Sequence, residues 1–266
     1  MNFIRLTLPL LLTVPLHAGP LLAASSDWHQ VEGGAIRVVT SGAPDADGVL
    51  RGALEIRLEP GWKTYWRDPG SSGVPPSLDV EADGRPAAVE VAFPAPQRFD
   101  DGYSPWAGYD GTVSLALTFS LPPDAATARI KASAFLGLCE TICVPVQAEM
   151  VLEPDARGND PVDAAVVEAA FGALPPPAEE GFLARAVAVE DGAVVVEAVA
   201  PAGAEVVDLF VAGTDTLSLD TPRRIEGDGA MFRVPFFGSP GKELPDDLAY
   251  TLVTSAGAVA GRLALP

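Results

Sequence analysis

Leu54-Glu55-Ile56-Arg57-Leu58 decides the fold class. Apolar side chains at every second position, with charged ones between, mark a β-strand that has one face in a core and one in water. Val113, Leu115, Leu117 and Phe119 repeat the pattern. Working outward from these two runs, strands are predicted over Ala35 to Val39, Leu50 to Leu58, Val89 to Phe93, Val113 to Phe119, Arg129 to Phe135 and Val144 to Leu152. The chain's 26 glycines and 26 prolines punctuate them. Short alternating strands between turn residues predict an all-β chain of β-sandwich architecture.

The alternation breaks once. Asp160-Pro161 is a helix start, with Asp as N-cap and Pro at the first helical position. It predicts one Ala-rich helix over Val162 to Leu174, stopped by Pro175-Pro176-Pro177. The triple proline and Ala178-Glu179-Glu180 read as an interdomain linker. Beyond Phe182 the strand pattern resumes. Ala184 to Glu190 and Ala193 to Ala200 flank Asp191-Gly192, a type I′ hairpin signal. Val206 to Val211, Met231 to Phe236, Tyr250 to Thr254 and Val259 to Leu265 complete a second small sandwich that has no cysteine, histidine or tryptophan.

The N-terminus reads as an export signal. Arg5 supplies the positive region, Leu6 to Leu16 the apolar stretch, and Ala23-Ala24-Ser25 a small-residue cleavage site. The expected organisation is therefore a signal over residues 1–24, a first sandwich over 25–153, helix and linker over 154–180, and a second sandwich over 181–266. No other segment approaches the ~18 consecutive apolar residues of a membrane span, so no membrane insertion of the mature chain is expected. A formal charge of −19 repels nucleic acid and anionic lipid and reads as a solvated acidic coat.

Several chemistries are excluded. The two histidines are His17, inside the signal, and His29, so a Ser-His-Asp triad or a histidine-rich zinc site would have to be built on His29 alone, and neither is expected. Gly70-Ser71-Ser72-Gly73 does not centre its serine as a nucleophile elbow requires. No phosphate-cradling glycine loop is present, and no cofactor or resident metal is expected.

What remains is Gly137-Leu138-Cys139-Glu140-Thr141-Ile142-Cys143-Val144-Pro145, which holds both cysteines of the chain. Export makes oxidation of a lone pair expected. On one extended strand their Cα atoms would lie roughly 13 Å apart at ~3.3 Å per residue, whereas a disulfide needs about 4.4–6.8 Å. Closure therefore demands a turn. Ile130 to Leu136 and Val144 to Leu152 read as strands on either side of it, with Glu140-Thr141-Ile142 as the loop. So short a ring is a poor staple, which favours exchange. Three readings stand: a redox pair, a structural disulfide, and a soft-metal site with two thiolates on Cu(I). No Lys, Arg or His lies immediately beside the pair, so whatever tunes the attacking thiol comes from elsewhere in the fold.

Three of the four tryptophans and three of the four tyrosines lie between residues 62 and 109. Trp62 and Trp66 fit a sandwich core as well as a site. The run Phe99-Asp100-Asp101-Gly102-Tyr103-Ser104-Pro105-Trp106-Ala107-Gly108-Tyr109 is too rich in Gly, Pro and Asp for a strand and reads as a loop with aromatics at its tip, a lid over a reactive site.

Taken in order, Gly61-Trp62-Lys63-Thr64-Tyr65-Trp66-Arg67-Asp68-Pro69-Gly70, Ser72-Gly73-Val74-Pro75-Pro76, Phe93-Pro94-Ala95-Pro96-Gln97-Arg98-Phe99, Gly108-Tyr109 and Cys139-x-x-x-Cys143-x-Pro145 resemble the periplasmic N-terminal domain of DsbD-type thiol:disulfide interchange proteins. The ScsB branch, associated with suppression of copper sensitivity, is the nearest resemblance. It spans roughly residues 28 to 152, and the second sandwich fits it more loosely. The resemblance implies an immunoglobulin-like domain in the periplasm, with Cys139 and Cys143 as the exchanging pair. It implies a cap formed by the loop from Phe99 to Tyr109, including Tyr103 and Trp106, with Tyr65 and Trp66 near the site. It also implies two kinds of partner: a membrane thiol-electron transporter and periplasmic thioredoxin-fold proteins. Family members continue into a transmembrane electron-conducting domain, whereas this chain ends at Pro266. Its electrons are then expected from another polypeptide, or it acts as a non-catalytic binding or copper-handling module.

Overall fold

The computed structural model of the chain describes residues 23–70, 73–100, 102, 105–122, 129–152, 161–238 and 244–266. The expected export signal, apart from its last two residues, lies outside them, as do the Asp160 cap and Tyr103. The N-terminal β unit comprises β1 (Ala23–Ser25), β2 (His29–Val31), β3 (Gly34–Ser41), β4 (Val49–Leu58), β5 (Lys63–Tyr65), β6 (Ser77–Ala82), β7 (Arg85–Ala92), β8 (Gln97–Phe99), β9 (Trp106–Tyr109), β10 (Val113–Ser120), β11 (Ile130–Cys139) and β12 (Cys143–Leu152). Helix α1 (Pro161–Gly172) follows. The C-terminal unit comprises β13 (Leu183–Glu190), β14 (Ala193–Val199), β15 (Val206–Ala212), β16 (Leu217–Leu219), β17 (Arg223–Ile225), β18 (Asp228–Gly238), β19 (Asp247–Thr254) and β20 (Gly257–Ala264).

In the N-terminal unit one layer is ordered β1-β3-β4-β10-β7, with β2 on β3, and the other β6-β11-β5-β9-β8, with β12 on β11. The β6–β7 hairpin links the layers through Asp83-Gly84, both at positive φ. Alternation fills the space between them. Leu54 and Ile56 of β4 meet Leu115, Leu117 and Phe119 of β10 on one side, and Ala134, Leu136 and Leu138 of β11 on the other. All the named pairings are antiparallel, as an immunoglobulin-like architecture requires.

The outer face of the first layer is not left to solvent. Val39, Ala53 and Ala116 are covered by Val167 and Ala170 of α1, whose Pro161 stands at the first helical position. Arg37 ties the helix down by bonding both Glu55 (2.9 Å) and Asp163 (3.1 Å). The Pro-rich segment after the helix adds to the edge of β20, where Ala178 N donates to Ala260 O and Ala260 N donates to Pro176 O.

The C-terminal unit has its own core, in which Val194, Val196, Phe232, Val234 and Leu252 are buried. Asp191 and Gly192 both adopt positive φ at the β13–β14 turn, the geometry of a type I′ hairpin. Strand β15 serves two cores at once. Leu209 and Val211 face the C-terminal core, while Phe210 and Ala212 on its other face join the N-terminal core.

One sequence expectation is overturned. Phe99 to Tyr109 is not a loop throughout, because its ends are the short strands β8 and β9, paired Phe99 to Trp106 and Gln97 to Gly108. Every residue of β9 is buried. Gly108 is not a turn residue: a Cβ there would lie 2.1 Å from Thr64 O, so this glycine permits close strand contact.

Candidate functional site

Strands β11 and β12 form a hairpin in which Cys139 and Cys143 are directly opposed. Their sulfurs are joined in a disulfide with the Cα atoms 4.1 Å apart. Glu140, Thr141 and Ile142 form the exposed tip, as the spacing predicts. Strand periodicity makes the two cysteines unequal. Ile130 to Leu138 at even positions point into the core, so Cys139 stands on the outer face beside Gly137 and Phe135. Cys139 is nevertheless only 6% exposed, whereas Cys143 is open to solvent.

Aromatic side chains account for that difference. Tyr65 and Trp106 bury Cys139, with Phe99 and Val74 packed against them. Tyr65 meets Trp106 edge to face at 5.0 Å, and Trp106 stacks on Phe99 at 4.6 Å. The Tyr65 hydroxyl lies 2.8 Å from Cys139 Sγ and 2.9 Å from Cys143 Sγ. Disulfide sulfurs carry no hydrogen, so the phenol donates. Gly137 makes room for this ring, because a Cβ there would sit 2.8 Å from Tyr65 Cε2. Thr64 Oγ1 donates to Gly137 O at 2.9 Å and holds β5 against β11.

The cation missing from the local sequence arrives through register. Lys63 of β5 is the cross-strand partner of Cys139. Its ammonium lies 5.1 Å from the centre of the Phe99 ring and 5.8 Å from that of Trp106. Sequence spacing gave no hint of it, although Lys63 stands in the quoted aromatic segment.

Tyr65, Phe99 and Trp106 thus gather over the disulfide, while Trp66 and Tyr109 do not. Trp66 follows Tyr65 and turns the other way into the main core, edge-on to Phe210 at 5.9 Å. Its Nε1 is buried with no hydrogen-bond partner among the described residues. Tyr109 lies in the same core and donates its hydroxyl to Pro94 O at 2.9 Å, and burial raises its phenol far above the ordinary range. No cluster of three or more His, Cys, Asp or Glu side chains suited to a metal occurs among the described residues.

A disulfide at a hairpin mouth, half covered by aromatics and half exposed, is chemically able to exchange with a thiolate that approaches from its exposed end. Residues 37–154 match the family described as thiol:disulfide interchange protein DsbD, N-terminal. The whole architecture is similar to the crystal structure of the N-terminal periplasmic domain of ScsB from Proteus mirabilis, with a TM-score of 0.70 and 16% identity over 91% of this chain and 98% of that one. No curated protein matches the chain. No helix among the described residues is long and apolar enough to cross a membrane.

Proposed function

We propose that this protein is a periplasmic thiol:disulfide interchange protein, exported by a cleaved signal over residues 1–24. It passes electrons between a membrane thiol transporter and thioredoxin-fold proteins through Cys139 and Cys143. Residues 25–153 form the redox domain, 154–180 the helix and linker, and 181–266 a second sandwich. The observation that carries the reading is the unequal exposure of the two cysteines.

An incoming donor thiolate attacks at Cys143, the exposed cysteine, rather than at Cys139, which is roofed. Attack forms a donor–Cys143 mixed disulfide, and the electron pair of the broken S–S bond leaves on Cys139. Tyr65 O–H then donates to the thiolate it already touches, until that sulfur takes a proton. The donor's second thiol attacks its own sulfur in the mixed disulfide and releases Cys143. The donor ends as a disulfide and the pair as a dithiol. Running the same steps against an oxidised acceptor returns the pair to the disulfide.

Single cysteine variants test this. Cys139→Ala leaves the exposed thiol without its resolving partner and should accumulate mixed disulfides, visible as reductant-sensitive adducts. If neither Cys139→Ala nor Cys143→Ala traps a partner and the disulfide resists reductant, the exchange reading fails. A copper-handling module would instead show stoichiometric Cu(I) uptake by the reduced protein, lost in the double variant.

A further inference from the structure

The three aromatic residues over Cys139 share a property that their own packing does not require: each is adjacent in sequence to a residue held by the C-terminal β unit. Arg98 precedes Phe99. Its guanidinium bonds both carboxylate oxygens of Asp208, at 2.7 and 3.1 Å, and donates to Leu209 O at 3.0 Å. It also lies over the Phe210 ring at 4.6 Å. Pro105 precedes Trp106, and its carbonyl accepts a bond from Thr221 Oγ1 at 3.2 Å. Trp66 follows Tyr65 and packs edge-on against Phe210.

Strand geometry explains the coincidence. Successive side chains leave a strand on opposite faces, so a residue that reaches the disulfide has a neighbour that reaches away from it. Here Arg98 and Trp66 reach β15, whose Asp208, Phe210 and Ala212 share the face turned to the N-terminal unit, while Pro105 meets Thr221, just past β16, through its carbonyl. The Arg98–Asp208 pair is about four-fifths buried on both sides, so water screens it far less than a surface pair, and its forked geometry fixes direction as well as distance.

We infer that the C-terminal β unit is the positioning device for the aromatic roof. The Arg98–Asp208 fork and the Thr221–Pro105 bond latch hairpin β8–β9 in the place where Phe99 and Trp106 shield Cys139. Arg98, Asp208 and Thr221 are positioning residues, acting on the sulfur through its neighbours. The inference extends the exchange reading but rests on a property of the chain alone, namely access to one sulfur.

The test uses alkylation of single thiols in the full chain. With Cys143→Ala, the remaining Cys139 thiol is titrated with iodoacetamide in the presence and absence of Asp208→Asn. Breaking the latch should raise its alkylation rate about fivefold or more, the lower end of what coupling between two sites typically carries. In the Cys139→Ala background the already open Cys143 should react at an unchanged rate. The double exchange Arg98→Asp with Asp208→Arg should restore protection at least in part. An unchanged Cys139 rate in a folded latch variant overturns the inference. So does equal acceleration of both cysteines, which would indicate general loosening. If Asp208→Asn fails to fold, Arg98→Lys and Thr221→Val decide by the same comparison, since one keeps the charge and the other the shape. No partner protein enters this assay, so it stands whether or not partner trapping succeeds.

Discussion

Replacing Tyr65 by phenylalanine removes one oxygen and leaves the roof in place. The ring still packs on Trp106 and over Gly137, so access to Cys139 is unchanged. What disappears is the donor 2.8 Å from Cys139 Sγ. A hydrogen bond to a charged group contributes about 1.5–3 kcal/mol. The departing sulfur carries roughly half its final charge in the transition state of exchange, by analogy with the Brønsted slope of ~0.4–0.5 for the attacking thiol. The loss there is then about 0.75–1.5 kcal/mol, or a roughly four- to twelvefold slower reduction. The assay mixes oxidised protein with excess dithiothreitol, quenches with acid, alkylates, and counts added groups by mass. A rate equal to or above that of the unaltered protein, in a variant that melts normally, would refute the argument. It would mean that the phenol shields the disulfide without assisting its cleavage.

Gly137→Ala should act sterically, because its Cβ would lie 2.8 Å from Tyr65 Cε2 and 3.1 Å from Val74 Cβ. Overpacking of this kind costs about 1–3 kcal/mol, readable as a lower midpoint in urea. Reducing the Cys139–Cys143 bond should leave the protein folded, since closing so short a ring contributes only about 2 kcal/mol of chain entropy; collapse of the sheet signal in circular dichroism on reduction would contradict this. Burial raises the phenols of Tyr109 and Tyr250 above the ordinary value of 10.0. The native chain therefore holds protons that the unfolded chain releases once pH passes about 10, and stability falls with pH from there upward. Stability should be insensitive to these groups below that point, and Tyr109→Phe should flatten the alkaline decline in urea midpoints.

Long alternating runs disclosed the fold, and short anchored ones concealed the site. Leu54 to Leu58 and Val113 to Phe119 are half-buried strands whose periodicity is the packing itself, and Asp191-Gly192 is a turn that dictates its own dihedrals. Asp83-Gly84 makes the same kind of turn between β6 and β7. Strands β5 and β8 have three residues and β9 has four, too few for a period to emerge. They are fixed by register, by Gly108 and by contacts from far along the chain. Cys139 and Cys143 were legible because they are the only cysteines and a disulfide between them needs a turn, Phe99 and Trp106 because aromatics clustered in sequence, and Tyr65 only through the family resemblance. That Trp66 and Tyr109 point elsewhere follows from which face each takes, a choice composition does not record. Lys63 and Asp208 were invisible for the same reason, since one reaches its place by strand pairing and the other by packing between units.

The opposed placement of the cysteines also governs how long a partner stays attached. The β11–β12 ladder pairs ten residues, from Ile130 with Leu152 to Cys139 with Cys143, so the backbone as well as the S–S bond holds the cysteines opposed. After Cys143 has captured a partner, the Cys139 sulfur is therefore already beside the new bond, at an effective concentration far above that of any free thiol. Its attack competes with every other fate of the adduct and returns the partner with the original disulfide restored. A productive transfer has to outrun that return, so the partner must present its own second thiol within the lifetime of the encounter. Dithiols are thereby preferred over monothiols, without any contact that distinguishes one from the other.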